Sequence, residues 1–242
     1  LSRKLIKDKK STNDLKLKYV DEMLMQNVPV ALDQVMQEIV YMSNKAKMNI
    51  EQSYLALVKN EKINISDLYK NEEIINFTNL ELAGFLIKLS SKCNNENDEK
   101  FIGSFHHVIT DIERIGDYSK NLVERSEEMN KLNLSFSREA KEELDLLYRK
   151  VELMFDCAFD IFISRDESKL NTISSLENEV DYLKEELNNK HVARLNKGDC
   201  SVERGIYYYA TISELERTAD HLVNIAYSIH NPTGEEDIQF EY

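Results

Sequence analysis

A glutamate and an aspartate four residues apart occur twice in nearly the same setting: Glu113 and Asp117 within DIERIGDYSKNL, and Glu216 and Asp220 within ELERTADHLVNI. Residues four apart on a helix share a face, with Cβ atoms about 5–6 Å apart, so each pair presents two carboxylates together. Like charges so placed cost about 0.2–0.5 kcal/mol, and something must offset that where the pairing recurs. One offset is arginine: Arg114 and Arg217 follow the two glutamates and can pair with acids on neighbouring helices. The other is a hard cation, because oxygen-rich sites suit Mg, Ca, Mn and iron. Glu177 and Asp181 repeat the four-residue step. If their helix lies beside the one carrying Glu216 and Asp220, four carboxylates converge. Carboxylate pairs also serve acid–base chemistry, but no nucleophile or Gly-lined pocket accompanies these.

The two motifs align at a constant offset of 103 residues. Glu113 then opposes Glu216, Arg114 opposes Arg217, Asp117 opposes Asp220 and Asn121 opposes Asn224, with Ile109 and Ile112 matching Ile212 and Leu215. A weaker echo at offset 105 sets Glu72 against Glu177, Ile75 against Val180 and Asn76 against Asp181. Fixed-offset similarity is the mark of an internal repeat.

The elements that position these residues read as helices. Only 6 Gly and 2 Pro punctuate 242 residues, too few for the frequent turns of a sandwich or a doubly wound sheet. Leu32, Val35, Met36, Ile39, Met42, Ala46, Ile50, Tyr54 and Leu57 recur at helical steps after Asn27 and Pro29, predicting a first helix from Val28 to about Asn60. Ser66 or Asp67 caps a second helix, running to about Ser91, and 94–98 is a turn. A third helix carries Phe101, Phe105, Val108, Ile112, Ile115 and Leu122. Ser135–Ser137 cap a fourth, Arg165–Glu167 link it to a fifth, Gly198 closes the fifth, and Ser201 opens a sixth. The predicted fold is all-α, two tandem three-helix-bundle repeats of long antiparallel helices. Its parts are a basic juxtamembrane-type linker (1–27), a first repeat (28–134), a second repeat (135–232) and an acidic tail (233–242).

Composition narrows the function. A net charge of −13 argues against nucleic acid, which needs a basic footprint. Cys93, Cys157 and Cys200 form no CxxC pair and read as buried reduced thiols of a cytosolic protein. No apolar run approaches the roughly 18 residues of a membrane span. The first 18 residues instead hold seven Lys and Arg against Asp8 and Asp14, the balance of a cytoplasmic juxtamembrane segment, and the chain opens on Leu1 rather than Met, which points to an upstream portion. Nucleotide-cradling GxxxxGK[ST] and GxGxxG loops are absent, as are HExxH and the Glu-x-x-His of di-iron bundles. His221 reads as an interhelical hydrogen-bonding residue rather than a ligand, and Tyr207–Tyr209 as packing residues.

The paired motifs resemble the E/D-x-x-x-D signature of the PhoU family of phosphate-signalling proteins. The stretch YVDEMLMQNVPVALDQVMQE (19–38) resembles the linker and first helix of the PhoU-like domain at the carboxy terminus of bacterial sodium/phosphate cotransporters. The resemblance implies metal, often iron or another hard cation, held by Glu113 and Asp117 in one repeat and Glu216 and Asp220 in the other. Asp111, Glu214, Glu177 and Asp181 would complete the shells. Asn76 stands where the other repeat has Asp181, so the first site should be the poorer one. The implied role is control of phosphate uptake at the cytoplasmic face of the membrane, not catalysis, with a membrane-embedded transporter portion upstream in the same polypeptide. Two alternatives stay open: a free-standing adaptor that binds a phosphate transporter or histidine kinase, and a purely structural helical homodimeriser.

Overall fold

The computed structural model describes residues 15–93 and 95–229. Six long helices carry the described chain, with no strand among the described residues: α1 (Val28–Tyr54), α2 (Ile65–Ser90), α3 (Glu96–Lys131), α4 (Arg138–Ser164), α5 (Leu170–Lys197) and α6 (Val202–Tyr227). Most of the basic leader, together with Asn94 and the acidic tail, lies outside the described residues.

Local chemistry sets the helix ends. Asn27 accepts from the Val30 N–H and Pro29 sits in the first turn of α1, where a missing N–H costs nothing. Ser137 and Ser201 cap α4 and α6 through the N–H groups of Ala140 and Arg204. Gly198, at φ 78°, ends α5 in the left-handed region that only glycine enters freely. Two boundaries differ from the sequence reading. Asn64 rather than Ser66 or Asp67 precedes α2, and its side chain donates to Asp67. The acidic 94–98 segment is not all turn: Asn95 caps α3, and Glu96, Asp98 and Glu99 form its first turn, where the helix dipole favours negative charge. The end of α1 widens into a π-helical turn, Leu55–Lys59, before Asn60 turns left-handed.

Helices α1, α2 and α3 pack as one bundle and α4, α5 and α6 as another, with α3 and α6 in contact across the centre. The predicted stripe of α1 is buried apart from Met36, and the buried apolar residues of both bundles form one continuous core. Burying a Leu- or Ile-sized side chain contributes about 1.5–3 kcal/mol. The repeats also fill matching positions with complementary volumes. Gly116 lies so close to Ile75 that a methyl group added there would stand 3.3 Å from it. In the second repeat the same places hold Ala219 and Val180, both buried, a methyl moved from one helix to the other. The π-turn end of α1 is fastened to α4 by Asp145, which accepts from Tyr54 and Lys59, and by Tyr54 stacked on Tyr148 at 3.9 Å. Before α1, buried Glu38 accepts from the backbone N–H groups of Lys18 and Tyr19, both at 2.7 Å, and so pins the incoming chain.

Two corrections concern single residues. The three cysteines are free but half-buried, not fully enclosed. Of the consecutive tyrosines, Tyr208 is buried with its hydroxyl on Glu143, whereas Tyr209 is exposed.

Candidate carboxylate faces

Two acidic faces lie on corresponding helix pairs. On α2 and α3 stand Glu72, Asn76, Glu113 and Asp117. On α5 and α6 stand Glu177, Asp181, Glu216 and Asp220. The four-residue steps place each pair on one side of its helix at the margin of the core: Glu72 is buried, Glu113, Asp117, Glu177 and Glu216 are half-buried, and Asp181 and Asp220 reach the exposed rim.

On the second face electrostatic coupling links the four predicted carboxylates in series. Burial, then Asp181 and Asp220, push the Glu177 carboxyl up to about 7. Burial, then Glu216 and Asp181, push Asp220 up to about 6, against the opposing pull of Lys184 and His221. Burial also raises Asp181; Lys184 opposes the rise and Glu216 and Glu185 add to it. Taking carboxylates out of water and setting them beside one another both disfavour the charged form. The Lys184 ammonium, from α5, is ion-paired with Glu216 on α6.

The first face is better balanced. Glu72 Oε1 accepts from the Lys120 ammonium at 2.9 Å and from the Asn76 amide at 3.0 Å. Glu113 is raised by burial and then by Asp117, while Arg114 opposes the rise. Asn76 therefore acts here as a donor, where Asp181 in the other repeat brings another acceptor.

The remaining predicted site residues have other partners. Asp111 accepts from or pairs with His221 Nδ1 at 2.7 Å. Buried Glu214 pairs with Arg125 at 2.8 Å and accepts from Asn121 at 3.2 Å. Residues two apart on a helix point to nearly opposite sides, so Asp111 and Glu214 face the α3–α6 seam while Glu113 and Glu216 turn toward α2 and α5. Among the described residues neither arginine makes the expected ion pair with an acid on a neighbouring helix. Arg114 stands 4.0 Å from Glu113 on its own helix, and Arg217 makes no salt bridge among the described residues. In the seam, Tyr118 Oη meets His221 Nε2 at 3.1 Å. These two residues are 103 apart and hold the same place in the two repeats, so this contact sits where the halves meet as equivalents. His221 is interhelical, as the sequence implies.

Sequence reasoning missed the two lysines. The signal was present: ERIGDYSK (113–120) and ENEVDYLK (177–184) both place Glu, Asp and Lys at steps of four and three, a single helix face.

By type, the second face carries the oxygen donors that hard cations take, four carboxylates on two helices. As the side chains stand, no three His, Cys, Asp or Glu among the described residues converge to hold a metal ion together.

This architecture defines a tandem three-helix-bundle protein with an acidic face on each half. The PhoU domain model matches residues 39–141 and again 144–229, one match for each bundle, and the chain belongs to the PhoU family. It is 22% identical over 208 residues to the phosphate-specific transport system accessory protein PhoU homolog of Clostridium acetobutylicum, covering 85% of this chain and 94% of that one. It is 27% identical over 131 residues to PhoU homolog 1 of Thermotoga maritima, covering 54% and 56%. The fold is similar to the crystal structure of PhoU from Pseudomonas aeruginosa (TM-score 0.77, 18% identity, 83% of this chain and 96% of that one). It is equally similar to the phosphate transport system regulatory protein PhoU from Streptococcus pneumoniae (TM-score 0.76, 19% identity, 88% and 100%).

Proposed function

We propose that this chain is a regulatory accessory of phosphate transport that acts by binding rather than by catalysis, engaging a membrane phosphate transporter or its signalling kinase through its helical surface. The observation that carries the reading is the double match: both bundles, spanning 39–141 and 144–229, are PhoU domains. The named relatives are accessory proteins matched over most of their own length in the Clostridium case, which favours a separate adaptor over a domain fused to a cotransporter. No helix among the described residues is long and apolar enough to cross a membrane. The fused reading rests on the segment ahead of the family match, which Glu38 fastens to α1. In that case the domain would sit at the cytoplasmic face, below a membrane portion of the same polypeptide. Sequencing the native reading frame separates the two: several upstream membrane spans identify the fused form.

Within this function the acidic faces hold hard cations. Glu177, Asp181, Glu216 and Asp220 are the ligands proposed for the second repeat, and Glu113 and Asp117 for the first. A cation bound at the second face would supply the positive charge that its carboxylates lack. Phosphate uptake is the direct test of the regulatory role. Cells lacking the chain, grown in high and low phosphate, should take up labelled phosphate at a rate that re-expression restores to normal. Equal uptake with and without the chain in both media would overturn the reading.

A further inference from the structure

The chain reaches α1 through a short segment that is braced in place and yet turns large apolar side chains outward. We infer that this segment is a lipid-contact element: Met23 and Leu24, on the 3₁₀ turn Glu22–Gln26, enter the surface of an anionic membrane to which the basic leader is drawn. This goes beyond the regulatory role proposed above and needs no metal at the acidic faces.

The segment divides its apolar residues by direction. Leu17, Val20, Met25 and Val28 pack on the core, whereas Met23 is 83% exposed and Leu24 is exposed beside it. Single apolar residues at a surface mean little, but two adjacent ones on a fixed turn make an apolar knob. The turn is fixed from several sides. Asp21 accepts from the Met23 N–H at 2.9 Å, Gln34 accepts from the Asp21 N–H, and Glu38 accepts from Lys18 and Tyr19. Glu22 is ion-paired at 2.7 Å with Lys88, near the end of α2. A segment that served only as a connection would not need such bracing to keep a methionine in water. Val30, in the first turn of α1, and Ile87, next to Lys88, are exposed at the same end of the bundle.

Charge names the occupant. The first 18 residues carry a net +5 in a chain of −13, so everything after them carries −18. The knob follows directly on that basic stretch, whose last two cations, Lys16 and Lys18, are exposed. The Lys18 ammonium lies 4.5 Å from the centre of the Tyr41 ring, with Tyr19 alongside, a pairing of lysine and tyrosine of the kind that settles at a membrane–water boundary. Anionic headgroups attract the lysines and a short apolar insertion holds what they attract; two such signals give stable binding where either alone is marginal. The same field repels the acidic remainder, which sets the end of the molecule that meets the bilayer. An apolar socket on a protein would accept the knob but leaves the basic stretch without a role.

The test uses the whole chain with vesicles of phosphatidylcholine alone and of phosphatidylcholine mixed with phosphatidylglycerol. Flotation reads the binding of the unmodified protein and of the double variant Met23→Ser, Leu24→Ser, whose changes fall at exposed positions and leave the core intact. In parallel, the unmodified protein is treated with dilute peroxide with and without vesicles, and methionine sulfoxide is read peptide by peptide by mass spectrometry. The unmodified chain should float with the anionic vesicles only, and about 1 M salt, where the Debye length is about 3 Å, should release it. The double variant should bind about tenfold more weakly, the scale of two partly inserted side chains. Anionic vesicles should protect Met23 from oxidation, while Met48, exposed about 30 Å along α1 from its start, should react as before. Unaltered binding by the variant, or Met23 oxidised equally fast with and without anionic vesicles, overturns the insertion. No binding to either vesicle, or equal binding to both, overturns the inference as a whole and makes the knob a protein-contact surface. The oxidation arm needs no substitution, and none of these outcomes bears on the phosphate-uptake test of the regulatory role.

Discussion

On the first repeat the neutralising ammonium leaves α3 and reaches Glu72 on α2; on the second it leaves α5 and reaches Glu216 on α6. The Glu-x-x-x-Asp-Tyr-x-Lys run therefore sits on the third helix of one bundle and the second helix of the other, and the lysine spans the same gap in opposite directions. The neighbours differ as well. Asn76 gives Glu72 a second donor, whereas Asp181 gives the second face a further negative charge. What the two halves share is a face with acids at fixed positions, and what separates them is how far that face is neutralised from within. The first is close to self-sufficient; the second is left wanting positive charge.

The strongest way to break this comparison is to count bound metal. Glu216→Ala with Asp220→Ala should weaken cation binding by on the order of 100-fold, as expected when ligands rather than their supports are lost. Glu113→Ala with Asp117→Ala should change total bound metal far less, since Lys120 and Asn76 already serve the first face. Elemental analysis of the purified variants reads both. Equal losses would erase the difference between the repeats.

Acidity tests the same contrast without metal. Glu177 and Asp220 have raised pKa values in the folded chain, near 7 and 6, so the native state holds more protons than the unfolded one above about pH 4. Their contribution to stability is fully present below the unfolded carboxylate range and is lost as pH rises through about 6 to 7. After allowance for partial solvent screening, moving from pH 5 to pH 8 should cost about 1–2 kcal/mol in chelator-treated protein, read by thermal unfolding. Glu177→Gln should flatten that slope and stabilise the chain at pH 8. Glu72→Gln, at the matching position, should do the reverse and destabilise by about 1 kcal/mol, because it removes the acceptor of Lys120.

Much of this was legible from residue spacing. The six helices, the caps at Asn27, Ser137 and Ser201, the closing Gly198 and the repeat at offset 103 all follow from local rules of periodicity and turn chemistry. The pairing of Glu177 and Asp181 with Glu216 and Asp220 follows once α5 and α6 are neighbours. The lysines escaped because a seven-residue step fixes the face a side chain occupies, not the gap it crosses. Lys120 and Lys184 share a pattern yet find partners on opposite members of their helix pairs. Asp111 and Glu214 were assigned to the shells by resemblance alone, although a two-residue step already turns them toward the seam. Helix ends were least secure at 94–98, where one acidic run serves first as turn and then as the dipole-favoured opening of α3.

Asn76→Asp should sharpen the comparison by giving the first face the composition of the second. The substitution removes a donor from Glu72 and adds a carboxylate beside Glu113 and Asp117. Cation binding at the first face should tighten about fivefold, somewhat less than a full ion-pair partner gives, because Lys120 still holds Glu72. Titration calorimetry in the Glu216→Ala, Asp220→Ala background isolates the first face. Unchanged affinity there would mean that the number of carboxylates is not what distinguishes the halves.

The smallest effect belongs to a contact between equivalent positions of the two halves. Tyr118 and His221 occupy equivalent positions and meet at 3.1 Å in the α3–α6 seam, with Asp111 on the other imidazole nitrogen. Tyr118→Phe keeps the ring and its packing against His221 but deletes the hydroxyl, leaving one imidazole nitrogen without its partner. The net worth of such a bond is about 0.5–1.5 kcal/mol, and the half-buried setting puts this one toward the lower end. Denaturant unfolding should show a loss of about 0.5–1 kcal/mol with no change in the slope, because no surface is newly exposed. The loss should be felt equally by both bundles, so amide exchange in α2 and α5 should quicken together. Faster exchange in one bundle alone would show that the seam belongs to that half and that the halves are not joined as equivalents.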